Sequence, residues 1–375
     1  MNIAIGMRIR EGSWGGGNQF GASLSTYLRQ HGHRVDSTLE HPDLDLILLT
    51  EPRRASASST FTDIDILRYL WRVNPRALVI HRVNECDKGR NTRLRDPRLA
   101  VANRCADRTV FISQWLQAHF QSRGYRFAES SVIRNGANRD VFHSDGGASW
   151  NPGERLRIVT HHWSDNWMKG FDVYARLDRL LGQAPYRDLF EFTCIGRLPS
   201  GLTLPNTRWE PPAFGAGLAA LLRRSHVYLT AARNEGAGMH HIEGAMCGLP
   251  LLYLESGALP EYCAGFGLPF RDATFEERLL QMPDAYGSLK ASMPEYPFDA
   301  GTMCRRYAEL FTTLFAGREA IVGARARSVA GTRALMTRAG LLDTVSYLSL
   351  RMQSLLADRR TATGVAHERA RGQRR

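Results

Sequence analysis

Lysine is nearly missing from this chain of 375 residues. It carries 46 arginines but only three lysines, Lys88, Lys169 and Lys290. So strong a bias suggests a genome that drifts toward arginine codons. A lysine retained inside a motif then indicates a place where a compact ammonium serves better than a planar guanidinium.

Long apolar runs and metal-type cysteine spacings are missing as well. No stretch of 18 apolar residues occurs, so we expect no membrane-spanning helix. The start of the chain reads as a buried strand and lacks the basic residues and long apolar core of a signal peptide. The six cysteines are scattered without CxxC or Cys/His spacing, which argues against a disulfide framework and a zinc site. We therefore expect a cytoplasmic protein that uses no metal.

Charge is distributed unevenly along the chain. The net charge is +12, and residues 318–375 alone contribute +8, from twelve arginines against four acids. A polybasic end of this kind can bind an anionic membrane surface or an acidic partner, so a peripheral membrane location is one hypothesis. No reading motif or aromatic platform accompanies the arginines, and we do not expect nucleic acid as a partner.

Two series of short apolar runs alternate with helix-like stretches. The runs occupy residues 3–7, 44–49, 77–83 and 109–113 in the first series and residues 157–160, 190–195, 227–230 and 250–254 in the second. A polar stretch rich in glycine and proline lies between them at residues 145–153. Buried parallel strands with helical crossovers predict two doubly wound α/β domains that face a cleft.

We place the first domain at residues 1–145, the second at residues 154–316 and a helical, basic extension at residues 317–375. The extension repeats apolar residues at helical spacing, at Leu341, Val345, Leu348, Met352 and Leu355. This stripe either packs on the first domain as core or serves as a membrane-binding arm. We expect the end of the extension to be disordered.

Two glutamates eight residues apart carry the strongest functional signal. Glu235 lies in a glycine-rich turn after the apolar run 227–230, and Glu243 lies about one turn into the next helix. Open α/β sheets bind ligands in such turns, at the carboxyl ends of their strands. The helix start favours an anion, and the carboxylates accept hydrogen bonds from hydroxyls. A nucleotide sugar has both phosphates and hydroxyls and suits this set.

Several motifs in a fixed order resemble the family 4 glycosyltransferases of the GT-B fold. They are the glycine loop Gly15–Gly21, the helix end Leu28–Val35, the Lys-Gly motif Met168–Asp172, the glutamate pair, Gly248-Leu-Pro and Ser256–Glu261. The resemblance covers roughly residues 1–316. It implies two Rossmann-like domains and a retaining, metal-independent transfer of a sugar from a UDP- or GDP-linked donor. The acceptor would be a glycan or glycolipid, in bacterial surface polysaccharide biosynthesis.

The resemblance also implies roles for single residues. Glu235 would bind the hydroxyls of the donor sugar, Glu243 the ribose, and Lys169 the diphosphate, whose growing charge needs a cation. His81 would contact the transferring sugar. The donor site would be completed by Gly16, Gly17, Gly236, Gly238, Met239, Ser256 and Gly257.

On the acceptor side, a dense polar loop follows the apolar run 77–83. Polar residues at the carboxyl end of a strand are site candidates. The candidates in this loop are Asn84, Glu85 and Asp87.

One position departs from the family pattern. Many relatives carry an arginine about five residues before the motif lysine, where this chain has Ser164. Arg197, a histidine or backbone amides would have to supply the missing positive charge. Two other hypotheses remain: a nucleotide-sugar epimerase on the same architecture, and a non-catalytic protein that binds carbohydrate or nucleotide.

Overall fold

Two parallel six-stranded sheets form the framework of the protein. The computed structural model describes residues 1–10, 12, 15–325, 331–345 and 348. The elements around the first sheet are β1 (Asn2–Ile5), α1 (Gly15–Gln30), β2 (Arg34–Asp36), β3 (Leu46–Leu49), α2 (Asp63–Arg72), β4 (Leu78–Val83), α3 (Asp87–Arg90), α4 (Arg95–Asn103), β5 (Arg108–Phe111), α5 (Gln114–Ser122) and β6 (Ser130–Val132). The strand order is β2-β1-β3-β4-β5-β6.

The second sheet repeats this plan with the order β12-β11-β10-β7-β8-β9. Its elements are β7 (Leu156–His162), α6 (Phe171–Leu181), α7 (Tyr186–Leu189), β8 (Phe190–Gly196), β9 (Arg208–Glu210), α8 (Gly215–Leu222), β10 (Val227–Thr230), α9 (Met239–Met246), β11 (Leu251–Leu254), α10 (Leu259–Cys263), β12 (Gly267–Phe270) and α11 (Phe275–Ser292). Two further helices are α12 (Ala300–Ala316) and α13 (Arg318–Gly323).

The central strands are apolar because helices cover both faces of each sheet. All four residues of β3, β10 and β11 are buried, as the continuous apolar runs of the sequence predict. The short strands β2, β6, β9 and β12 carry no such signal. In β12, Pro269 is tolerated because this strand lies at the edge of its sheet.

Helix α12 returns from the second sheet to the first. Its buried residues Tyr307 and Phe311 join the core formed by β1, β3 and α1, where Phe20 lies 5.2 Å from Tyr307 between ring centroids. The domain boundary at residue 316 remains a prediction from sequence. The packing shows that the residues just before it belong to the first sheet's core.

The described part of the extension also packs on the first sheet's side of the molecule. Residues 331–345 are helical, and Leu335 and Met336 contact the cluster that includes α2. The fully buried Arg98 binds Asp343 (Nε to Oδ1, 2.7 Å) and Asp63 (Nη2 to Oδ1, 2.5 Å). Leu335 and Met336 are therefore packed, whereas the stripe residues Leu341, Val345 and Leu348 are exposed (63%, 42% and 53%), so core packing is not shown for the predicted stripe. Met352, Leu355 and the predicted disordered end lie outside the described residues.

No helix within the described residues is both long and apolar enough to cross a bilayer.

Candidate functional site

The ion pair of Lys169 and Glu235 lies in a cleft between the two sheets. Lys169 ends a short 3₁₀ turn after β7, and Glu235 follows β10, the neighbour of β7 in the second sheet. Burial alone would raise the pKa of Glu235. The charge of Lys169 and its hydrogen bond outweigh burial and hold the pKa below its ordinary value. Glu235 is therefore a carboxylate at neutral pH.

The loop that carries Glu235 is strained and firmly held. Asn234 and Ala237 have φ angles of 50° and 153°, values that side-chain-bearing residues rarely adopt. The first sheet's side binds this loop twice: Ser113 Oγ donates to the Gly236 carbonyl (2.6 Å), and Asn135 Nδ2 donates to the Ala237 carbonyl (2.9 Å). Both halves of the molecule thus fix the loop.

Ser256 and Gly257, which the sequence predicts to bind the nucleotide-sugar donor, support this loop. Ser256 Oγ accepts from the Asn234 N–H (2.8 Å), and the Ala258 N–H donates to the Glu235 carbonyl (2.8 Å). A Cβ at Gly257 would stand 2.4 Å from backbone atoms of Glu235. Neither Ser256 nor Gly257 is among the described residues that line the cleft. Their contacts position Glu235.

Glu243 points from α9 into the same cleft. It is only 3% exposed, and its Oε2 lies 2.6 Å from Nε2 of His161, at the end of β7. His161 Nδ1 lies 3.1 Å from the Tyr228 hydroxyl. The other carboxylate oxygen, Oε1, is buried and has no hydrogen-bond partner among the described residues. A ligand hydroxyl would satisfy this oxygen.

Three further histidines surround these carboxylates and are held neutral. Burial, reinforced by neighbouring positive charges, lowers the pKa of His162 and His240 well below the ordinary value. Burial lowers the pKa of His241 to about 3. His240 Nε2 lies 2.9 Å from Thr230 Oγ1, and its ring centroid lies 4.7 Å from that of His162. Within the described cleft lining, Lys169 is the lysine that the second sheet contributes, and this sheet contributes no arginine there.

Arginines of the first sheet's side supply further positive charge. Arg82, on β4, and Arg90, at the end of α3, line the cleft together with Lys169. Arg197, the predicted substitute for the missing arginine, is exposed, does not line the cleft, and stacks on the Trp163 ring at 4.2 Å.

Arg82 has unused hydrogen-bonding capacity. Its Nη2 donates to Asn135 Oδ1 (2.9 Å), and its guanidinium lies 3.8 Å from the Phe20 ring centroid. Nε and Nη1 are buried without a hydrogen-bond partner among the described residues, although Tyr307 is adjacent. Buried donors without partners are destabilising, so an anion in the cleft would be favoured at this guanidinium.

The far end of the cleft is apolar. It is lined by Ile195, Pro212, Ala213, Phe214 and Leu218. Phe214 is 55% exposed although it is a large aromatic residue. A flat aromatic ligand group fits this end, while charged and hydroxylated groups fit the other. The cleft encloses about 1140 Å³, part of it open to solvent.

The first-domain candidates fall into two groups. Asn84, Gly16 and Gly17 line the cleft, and a Cβ at Gly16 would stand 2.4 Å from Met239 Cγ across the interface. His81 does not reach the cleft: it is fully buried, and its Nδ1 lies 3.1 Å from Asn103 Nδ2. Successive residues of a strand point to opposite faces, so β4 directs Arg82 to the cleft and His81 away from it.

Asp87 and Glu85, which were predicted to contact the acceptor substrate, do not line the cleft either. Asp87 is buried and accepts from Thr92 Oγ1 (2.6 Å) and the Arg95 N–H (2.9 Å), so it caps a local turn. Glu85 binds arginines beside the cleft rather than lining it. Among the residues with described side chains, no group of His, Cys, Asp and Glu could hold a metal ion.

The remaining predicted site residues, Gly236, Gly238 and Met239, lie at the first residue of α9 and just before it. Gly238 and Met239 line the cleft, and Gly236 lies just behind them against the Asn84 carbonyl. The sequence prediction missed His161, Arg82, Asn135 and Phe214. For His161 a signal existed, because it stands at the carboxyl end of an apolar run, where open sheets bind ligands.

Comparison with known proteins was informative only at the level of structure. No protein-family model and no curated protein matches this chain. The sucrose-phosphate synthase of Thermosynechococcus elongatus superposes with a TM-score of 0.59 at 14% identity, over 84% of this chain and 99% of the synthase. HepE of Anabaena, solved in complex with UDP and glucose, gives a TM-score of 0.59 at 16% identity, with 84% and 99% coverage.

A glycosyltransferase from Rickettsia africae gives a TM-score of 0.56 at 12% identity, over 84% of this chain and 98% of that enzyme. These similarities and the two parallel sheets show that the chain has the GT-B fold. The fold class predicted from the sequence is confirmed.

Proposed function

We propose that the protein is a retaining glycosyltransferase that transfers a sugar from a nucleotide-sugar donor to an acceptor hydroxyl. The observation that carries the proposal is the convergence of Lys169, Glu235 and Glu243 on one cleft of a GT-B fold. Lys169 lies 66 residues before Glu235 in sequence, yet it joins the two carboxylates in the cleft, where a sugar diphosphate needs both a cation and hydroxyl-binding groups. One similar structure is named a glycosyltransferase, another is named an O-GlcNAc transferase, and HepE is described with UDP-glucose.

The cleft accommodates such a donor in one direction. The base would lie at the apolar end beside Phe214, the ribose on Glu243 Oε1, and the diphosphate beside Lys169 and Arg82. The sugar hydroxyls would bind Glu235 and the strained loop. HepE and the pneumococcal O-GlcNAc transferase GtfA, both solved with UDP, favour uracil as the base.

In the reaction, the bond between the sugar's anomeric carbon and the phosphate oxygen breaks, and the diphosphate leaves with the electron pair. The acceptor oxygen attacks from the same face, and its proton passes to the leaving phosphate oxygen. Lys169 and Arg82 stabilise the charge that develops on the diphosphate. Glu235 is already engaged by Lys169, so it orients hydroxyls and does not act as a nucleophile. We propose that no metal is needed.

The test is turnover of a panel of UDP- and GDP-sugars, measured as nucleoside diphosphate release. Lys169→Met should reduce kcat about 100-fold, because it removes a cation that acts mainly in the transition state. Lys88→Met, at an exposed lysine of the first sheet's side, is the matched control and should retain wild-type rates. Donors that bind but are never cleaved with any acceptor would indicate a binding protein, and epimer formation without an acceptor would indicate an epimerase.

We further propose a glycan or glycolipid acceptor at the inner face of the cytoplasmic membrane, as in surface polysaccharide biosynthesis. Residues 349–375 carry seven arginines and two acids, a net charge of +5 that favours anionic lipid. Flotation with vesicles of anionic and of neutral lipid should separate the full chain from a 1–348 variant, which keeps the packed helix. Equal flotation of the two proteins would exclude this role for the basic end.

A further inference from the structure

A second cleft opens beside the first, on the side of the first sheet. It encloses about 1570 Å³, part of it open to solvent. The two clefts share Gly15–Gly17, Asn84, Arg90 and Trp163 as a common border. A molecule bound in the second cleft would therefore reach the donor site directly, which is the position that an acceptor needs.

Arginine dominates the charge of this second cleft. Five arginines and two glutamates are present among its described lining residues: Arg8, Arg10, Arg53, Arg90, Arg95, Glu51 and Glu85. Their net charge is +3. Hydroxyl and amide side chains complete the wall at Asn18, Thr50, Ser56, Ser58, Asn91 and Thr92. The chemistry of this wall suits a ligand that has both an anionic group and hydroxyls.

Glu85 organises three of these arginines. Arg53 Nη2 lies 2.6 Å from Glu85 Oε1, Arg95 binds the same oxygen, and Arg90 Nε lies 3.3 Å from Oε2. Burial alone would raise the pKa of Glu85, but these arginines hold it below the ordinary value. Arg53 also binds Glu51, so two carboxylates face three guanidinium groups and one positive charge of this cluster is not neutralised. Glu85 therefore fixes their geometry and leaves excess positive charge for a ligand.

Two of these arginines, Arg8 and Arg95, have N–H groups without a partner among the described residues. The exposed side chain of Arg8 makes no hydrogen bond or ion pair with any described residue. Arg95 Nε is buried without a hydrogen-bond partner among the described residues. Guanidinium groups bind phosphate through paired N–H donors, and such charge-assisted bonds are among the strongest in proteins.

We propose that the second cleft is the acceptor site and that the acceptor carries a phosphate group, bound by Arg8, Arg10 and the arginines around Glu85. This inference rests on the proposed function. A net charge of +3 suits a phosphate better than a single carboxylate. The phosphate can belong to a soluble sugar phosphate or to a lipid-linked diphosphate sugar, and both present the same anionic oxygens to the arginines.

The test is titration calorimetry on the full chain with UDP or GDP at saturation, so that the donor cleft is filled. The probes are glucose 6-phosphate, geranyl diphosphate and neutral glucose. We expect a phosphate-bearing probe to bind at least about tenfold more tightly than glucose, the equivalent of one charge-assisted hydrogen bond. Preference for glucose 6-phosphate assigns a soluble source, and preference for geranyl diphosphate assigns a lipid source.

The variant Arg8→Gln/Arg10→Gln should lose about tenfold in affinity for that probe. Arg54→Gln is the matched control, since Arg54 is exposed, close in sequence and outside the described lining. Equal losses in both variants, or binding of charged probes no tighter than of glucose, would overturn the inference.

The acceptor inference and the proposed function can fail independently of each other. Nucleotide binding that persists without phosphate-probe binding removes only the acceptor inference. Failure of every nucleotide to bind, with phosphate-probe binding to the ligand-free chain intact, removes only the proposed donor site.

Discussion

Nε2 of His161 lies 2.6 Å from Oε2 of Glu243, and this contact joins the end of β7 to helix α9 inside the cleft. The two residues are 82 positions apart in sequence. The histidine holds one carboxylate oxygen, and the other oxygen, buried and without a described partner, is left to receive a ligand. A geometry fixed before binding reduces the ordering that binding requires.

Glu243→Gln should therefore weaken UDP binding about tenfold, because an amide removes the charged acceptor at the ribose. Calorimetry with UDP and 2′-deoxy-UDP resolves the contact: the deoxy penalty of the wild type should shrink in the variant if Glu243 binds that hydroxyl. Glu255→Gln, at an exposed glutamate paired with Arg271, serves as control. An unchanged deoxy penalty would contradict a contact between Glu243 and the 2′-hydroxyl of the ribose.

The variant Arg82→Met should weaken UDP binding while changing the stability of the protein only slightly. The guanidinium is buried, and two of its nitrogens have no hydrogen-bond partner among the described residues. Its replacement by an apolar side chain of similar length should change the free energy of unfolding by less than about 2 kcal/mol. The dissociation constant for UDP should rise about tenfold, because the diphosphate loses a charged donor.

Urea unfolding and calorimetry of Arg82→Met measure the two effects, with the exposed Arg104→Met as control. Severe destabilisation with unchanged UDP affinity would show that Arg82 is structural.

Acid should destabilise the protein through its buried histidines. His241 has a pKa of about 3 in the native state against an ordinary 6.5. Below pH 6.5 the unfolded chain binds a proton that the native histidine does not, so stability falls as pH is lowered from 6.5 toward 3. The slope reaches about 1.4 kcal/mol per pH unit for each such histidine, and His162 and His240 act in the same direction.

Urea unfolding at pH 7.5, 6.5 and 5.5 measures this slope. His241→Leu should reduce this slope by up to the contribution of one histidine, and the exposed His31→Leu serves as the comparison variant. Stability that is constant down to pH 5.5 would contradict the proposed neutral, buried state.

Asp343 should be important for docking of the C-terminal helix. Asp343→Ala removes a partner of the fully buried Arg98, so we expect a loss of about 1–3 kcal/mol in unfolding free energy and faster proteolysis near residues 331–345. Glu319→Ala breaks only an exposed pair with Arg76 and should change stability by less than about 1 kcal/mol. Identical proteolysis of the two variants would show that apolar contacts alone hold the helix.

The fold was predictable from the sequence because its strands are buried on both faces. Continuous apolar runs such as residues 227–230 and 250–254 indicate such strands without any knowledge of the tertiary structure. The glycine-rich turn after residues 227–230 indicates where a ligand would bind. Edge strands of three or four residues carry too few apolar residues for a signal, so β2, β6, β9 and β12 were not predicted.

By itself, the sequence determined the GT-B architecture and the local turn that presents Glu235 and Glu243. Only the tertiary structure decided which charges meet there. The face that β4 turns toward the cleft selects Arg82 over His81, and the approach of the two sheets brings arginines of one to the carboxylates of the other. Strand alternation can be read from a sequence, but which of its two faces borders a cleft depends on packing between distant segments.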